Sequence, residues 1–278
     1  MTPAKTLDEV LARLDVLIDE GAARGSTAGL FPALYRSVTA GVKAGIEAER
    51  FDDGPRMARF DIDFANRFFA VQAAWQAGQP TPRAWRVALQ ALDDPQVGDL
   101  QHLLLGMNAH INLDLGVSSA EVAPGASIKA LENDFNTIND VLASLLDGTQ
   151  DALGDFSPLL HKLDVVARDG DEAFANFSIA KAREASWRTA RSLAPVPEEY
   201  RGGLVDVLDR GVRNLGHLIA RPGPLFTPVL LEVWETESRD IPAIVRRLNR
   251  ISDLRSDPSA KKGGRRKPSA GKGGARLG

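Results

Sequence analysis

Cysteine is absent from the 278 residues, which excludes a disulfide framework, a thiol nucleophile and a thiolate metal site. Histidine is scarce, with four residues at 102, 110, 161 and 217, so any imidazole chemistry has few addresses. No apolar run approaches the ~20 residues of a membrane span. The opening residues Met1 to Glu9 lack the apolar core of a signal peptide, and the expected location is cytoplasmic. Also missing are a Gly-x-Gly-x-x-Gly turn, a phosphate-binding loop and a Gly-x-Ser-x-Gly nucleophile elbow. The Glu-x-x-His pairs of ferritin-like di-iron bundles do not occur either.

What is present is an ordinary globular composition, 44% hydrophobic and 26% charged, long enough for one large or two small domains. The net charge of −3 conceals an asymmetry. Residues 255–278 hold eight Lys or Arg against the single acid Asp257, giving the tail +7 and residues 1–254 −10. The tail has almost nothing to bury and is expected to be disordered. It suits nonspecific contact with nucleic acid or an anionic surface. The acidic body argues against a dedicated nucleic-acid-binding domain.

Apolar residues recur at helical spacing along most of residues 1–254. Leu7, Val10, Leu11, Leu14, Leu17 and Ile18 follow a Thr6–Glu9 capping box. Phe31, Leu34, Tyr35, Val38, Val42 and Ile46 form a second stripe, and Met57, Phe60, Phe64, Phe68, Val71 and Trp75 a third. A short helix is expected over 83–92 and another from Leu100 to Gly116. Ile128 to Leu145 carries the next, with further helices near 158–168, 171–193, 199–220, 227–237 and 241–252. No run alternates with period two for long enough to make a strand. The fold class is all-α, a single compact multi-helix bundle over residues 1–254.

The segment from Gln101 to Gly116, QHLLLGMNAHINLDLG, stands apart because six polar side chains interrupt a run apolar enough to be buried. Burying an amide, imidazole or carboxylate costs about 1–3 kcal/mol or more unless a partner satisfies it. On a helical wheel His102, Gly106, His110 and Asp114 share an arc of roughly 120°. Gln101, Asn108 and Asn112 form a second polar stripe, and Leu100, Leu104, Met107, Ile111 and Leu115 an apolar side. Two polar stripes with no Lys, Arg or Glu to solvate them place this helix at the centre of the bundle.

His110 and Asp114 stand one turn apart, the spacing of a helical metal-ligand pair. Imidazole and carboxylate suit zinc, iron or manganese. His102 lies about 12 Å along the axis from His110, too far to share one ion comfortably; two ions, or one ion plus a substrate contact, fit better. Gly106 leaves a gap between the two histidines for a ligand or a closely packed helix. His161 and His217 oppose the apolar stripes of their own helices and are expected to be exposed. Among acids, Glu184 shares a stripe with Phe177 and Trp187, which would point it inward. Asp134 borders an apolar face with Asn139 on the opposite border. Asp61, at the edge of the Phe60, Phe64 and Phe68 stripe, ranks behind these two, and Asp63 last.

The QHLLLGMNAHINLDLG segment resembles the hallmark of a bacterial family labelled a domain of unknown function. Asp134 to Asn139 and Ala182 to Trp187 are similar to that family's secondary signatures. The resemblance covers most of residues 25–225 and implies a helical domain, without an established activity. A weaker likeness is to the all-α zinc-dependent phospholipase C and single-strand nuclease group, which holds metals with H-x-x-x-D and H-x-x-x-E pairs. His110 and Asp114 match one such pair; the second pair, the secretion signal and the N-terminal Trp ligand are missing.

Three functions follow as expectations. In the first, a divalent metal held by His110 and Asp114 and completed by Asp134 or Glu184 activates water to hydrolyse a small ester or phosphoester. His102 orients the substrate or transfers protons, and Glu184 is the other catalytic candidate. In the second, Gln101, Gly106, Asn108, Asn112 and Asn139 line a pocket for a small polar ligand without turnover. In the third, the polar residues are internal scaffolding of a structural or interaction protein.

Overall fold

The computed structural model describes residues 2–156, 179–223, 227–236, 238 and 240–250. The expected helix near 158–168, the first part of that over 171–193, His161 and the basic tail lie outside the described residues. Among the described residues there is no strand. The helices are α1 (Leu7–Arg24), α2 (Leu30–Glu47), α3 (Gly54–Gln76), α4 (Arg83–Ala91) and α5 (Asp99–Ala109). A π-helical turn over His110–Leu115 joins α5 to α6 (Gly116–Val122). Then follow α7 (Ile128–Phe156), α8 (Ile179–Leu193), α9 (Glu198–Ala220), α10 (Thr227–Thr236) and α11 (Ile241–Asn249). Together they form the expected all-α bundle.

Local chemistry sets the helix ends. The Thr6 side chain accepts from the Glu9 N–H at 3.1 Å, while the Glu9 carboxylate reaches back to the Lys5 N–H at 2.7 Å. Gly25, at φ 60°, closes α1 in the left-handed region that glycine adopts without strain. Asp53 caps α3 through the Arg56 N–H, with Pro55 in the first turn. Other ends are capped across the fold. The carboxylate of Asp209 on α9 accepts from the Arg83 and Ala84 N–H groups at 2.8 Å, finishing the start of α4, where Pro82 offers no side-chain cap.

Helix α5, the π turn and α6 run as one continuous rod through the middle, packed against α2, α3, α4, α7, α8 and α9. The rod extends to Val122, beyond the end expected at Gly116. Gly116 keeps a helical φ of −69° and serves a different purpose. A Cβ there would lie 2.8 Å from the Ser186 carbonyl oxygen and 2.9 Å from Thr189 Cβ, so its glycine lets α8 approach. Aromatic side chains fill the core beside the rod: Trp85, Phe60, Phe68 and Phe135 are among its largest fully buried members.

Candidate functional site

The rod's polar residues separate by neighbour. Those of the amide stripe are engaged by α9 or by one another. Gln101 Nε2 donates to the Ile219 carbonyl at 2.7 Å, and its Oε1 accepts from the Gly98 N–H at 2.9 Å. Asn108 Nδ2 donates to the Val212 carbonyl at 3.0 Å, and Asn112 Nδ2 to Asn108 Oδ1 at 3.0 Å. The stripe ties the rod to α9.

The histidine arc is split. His102 is buried beside a small void of about 40 Å³ with Trp85, Phe31 and Gly106. Burial pushes its imidazole down to about 4, against an opposing pull from the Val97 backbone. Gly106 is filled by protein: a Cβ there would meet Phe31 Cγ at 2.7 Å and Phe31 Cβ at 2.9 Å. His110 is buried, stacked on Phe64 with centroids 3.6 Å apart and edge-on to Tyr35 at 4.5 Å. Its Nδ1 faces Asp114 Oδ2 at 3.4 Å, and that same oxygen accepts from Trp85 Nε1 at 2.8 Å. A carboxylate on the Nδ1 side keeps the proton there, leaving Nε2 an acceptor, and Nε2 has no hydrogen-bond partner. Burial lowers the His110 pKa more than Asp114 raises it.

The π turn carries both His110 and Asp114. Such turns break the i→i−4 ladder and recur at functional sites. Ser186 on α8 donates to the Ile111 carbonyl within this turn.

The rod's apolar side, together with His110 from the histidine arc, faces a partly open cavity of about 270 Å³. Leu100, Leu104, Met107, Ile111 and Leu115 line it, opposite residues of α2, α3, α7 and α8. Few polar residues reach this wall: Tyr35, Asp61, His110 and Arg183. Asp61 is buried, and its Oδ2 has no partner among the described residues. Desolvation raises its pKa to about 7. The Tyr35 hydroxyl is likewise buried and, beside the Thr39 hydroxyl, makes no well-formed hydrogen bond among the described residues. Desolvation, followed by the charges of Asp61 and Asp114, raises its pKa well above the usual value, against a lowering by Thr39. Arg183 donates to Asn139 Oδ1 at 2.6 Å and to the Phe135 carbonyl at 2.5 Å, with its guanidinium 4.4 Å from the Phe135 ring centre. Burial lowers its pKa to about 10, and among the described residues it has no carboxylate partner.

The remaining candidates lie elsewhere. Asp134 is fully buried and accepts from the Asp52 and Asp53 N–H groups and from Arg56 at 2.5 Å, pinning α7 to the start of α3. Glu184 corrects the expectation of an inward carboxylate. Its side chain is 67% exposed and pairs with Arg188 at 3.2 Å, because α8 turns Arg183 inward instead. Asn139 serves Arg183, and His217 is exposed, as expected. Thus His110 and Asp114 are brought together, while His102, Asp134 and Glu184 are not brought to them. Among the described residues no group of three His, Asp or Glu side chains is placed to hold a metal ion. Tyr35 was not among the candidates and Asp61 stood behind Glu184 and Asp134, whereas of these acids Asp61 is the one that lines the cavity. The signal for Asp61 was its place on the inward phenylalanine stripe.

No helix among the described residues is long and apolar enough to cross a membrane. No curated protein matches the chain, and no solved structure does either; the likeness to the zinc-dependent phospholipase and nuclease group therefore finds no support. One family model does match, over residues 7–222. The chain belongs to the family described as "Family of unknown function (DUF5995)".

Proposed function

We propose that this protein is a non-catalytic helical module that binds one small molecule in the cavity between α2, α3, the central rod, α7 and α8. The observation that carries this reading is a 270 Å³ cavity whose wall holds unpartnered polar atoms of Asp61, Tyr35 and His110. Apolar walls around such a volume forgo the packing contacts that a filled core gives them. A buried unpaired carboxylate adds to the cost. A fold that keeps both has a use for them. The mostly apolar lining shifts the expected ligand from a wholly polar molecule to an apolar one with a polar group. The metal-dependent hydrolase ranks second, since His110 and Asp114 do not gather a third protein ligand.

A thermal-shift screen of small amphiphiles, followed by calorimetric titration of the hits, tests the reading. A true ligand at a hundred times its Kd stabilises by about 2.7 kcal/mol, raising the Tm by several degrees. A filled Val42 or Met107 wall should abolish the effect. If no compound shifts the Tm, the buried polar residues are scaffolding alone. Stoichiometric zinc, iron or manganese in tag-free protein would restore the hydrolase.

A further inference from the structure

The unpartnered atoms share one chemical need. Asp61 Oδ2 is an acceptor when ionised, His110 Nε2 is an acceptor because Nδ1 faces Asp114, and the Tyr35 hydroxyl accepts as well as donates. They occupy three walls that meet: the Tyr35 and His110 rings are 4.5 Å apart, and His110 stacks on Phe64, one turn along α3 from Asp61. The surrounding surface is aromatic, with Phe31, Phe60 and Phe64 lining the same cavity. Phenyl faces carry negative potential and attract cations, most strongly where water is excluded. The other charged residue on the wall, Arg183, already donates to two neutral acceptors and lies over Phe135. Asp61 has no comparable partner, so the larger unmet demand is for a donor and a positive charge.

We propose that the cavity takes a protonated amine on a small apolar body, its ammonium group held by Asp61, Tyr35 and His110 among the phenyl faces. This rests on the reading of the cavity as a binding site. An ammonium offers three donors and no acceptor, which matches the three waiting atoms. The aliphatic or aromatic body fills the stretch lined by Leu103, Leu104, Met107 and Ile138. An anionic amphiphile would instead leave Asp61 unpaired beside a second negative charge.

Three probes of equal chain length separate head from body: n-hexylammonium, 1-hexanol and hexanoate, titrated calorimetrically into the full chain at pH 7.5. The expected order places hexylammonium roughly tenfold tighter than hexanol, with hexanoate weakest. Asp61→Asn should bring hexylammonium to the affinity of hexanol and leave hexanol unchanged. Should that variant fail to fold, Tyr35→Phe removes an oxygen that makes no well-formed hydrogen bond, with only the Thr39 hydroxyl beside it, and should still narrow the ammonium-to-alcohol ratio several-fold. Equal binding of hexylammonium and hexanol overturns the proposal while the binding module stands. Tightest binding by hexanoate, lost in Arg183→Gln, overturns it in favour of an anion at Arg183. If none of the three binds, both the proposal and the binding module fall.

Discussion

Asp61, Asp99 and His102 are side chains whose burial couples directly to pH, the two acids in one direction and the histidine in the other; desolvation raises Asp99 to about 6. Asp61 titrates near 7 in the fold, raised by desolvation from 3.8. Between those values the folded protein holds a proton that the unfolded chain has released, so stability falls as pH rises from about 4 to about 7. His102 titrates near 4 in the fold, lowered from 6.5 by burial. Over its window the unfolded chain holds the extra proton, so stability rises with pH and is lost below about 6.5. His110 is shifted in the same direction as His102. In the wild type the two trends offset one another across pH 4.5–6.5. Asp61→Asn removes one of the two acids that oppose the histidines and leaves Asp99, so its Tm should rise with pH relative to the wild type over that range and exceed it at pH 8. Melting curves at four pH values in each protein check this. A variant curve parallel to the wild type would mean that Asp61 is not the group that charges. Sequence patterning could place Asp61 beside the phenylalanine stripe. It could not show that no cation comes near, because the opposing helices are far away in sequence.

Helix–helix contacts account for what the wheel of the central rod could and could not show. Its apolar side and its amide stripe were both legible, since each is a local periodicity. The π turn was not. Its extra residue shifts the phase between His102 and Asp114, and its contact with the Ser186 hydroxyl, on the Ile111 carbonyl, comes from the distant α8. Gly106 was legible only as a gap and Gly116 only as a helix end; the structure fills the first with Phe31 and sets the Ser186 carbonyl and the Thr189 side chain of α8 against the second. Gly116→Ala therefore presses a Cβ against a carbonyl that cannot swing away, with an expected cost of about 1–3 kcal/mol. Gly202→Ala, on α9 with nothing within 4 Å of its Cβ, should instead stabilise by about 0.5–1 kcal/mol by favouring the helix. Urea unfolding of both variants checks the pair; equal responses would refute the close approach of α8. Asp134→Ala should cost about 3–5 kcal/mol, because Arg56 loses its buried carboxylate and the start of α3 loses its tertiary cap. A loss below 1 kcal/mol in the same titration would show the cap to be redundant.

At the scale of the molecule, helical periodicity and the absence of alternating runs made the all-α bundle legible, since each helix announces its own buried face. The cavity was not legible, because the residues lining it read in sequence as ordinary core. Only their assembly from five elements reveals that, among the described residues, the faces do not close on one another. This gives the cavity a consequence independent of any ligand. In a filled core an added methylene overpacks and costs about 1–3 kcal/mol. Beside unfilled volume it gains the roughly 0.8 kcal/mol of a buried CH₂. Val42 is buried on α2 and lines the cavity, so Val42→Leu should raise the urea midpoint, by about 1 kcal/mol in stability, with an unchanged slope. The same substitution reduces the space for a ligand and should weaken any amphiphile that binds the wild type. A stabilised variant with weakened binding is a combination that a solid core cannot produce. A destabilised one would mean that in solution the walls close on the volume, and that the helices around the rod pack as tightly as their sequences suggested.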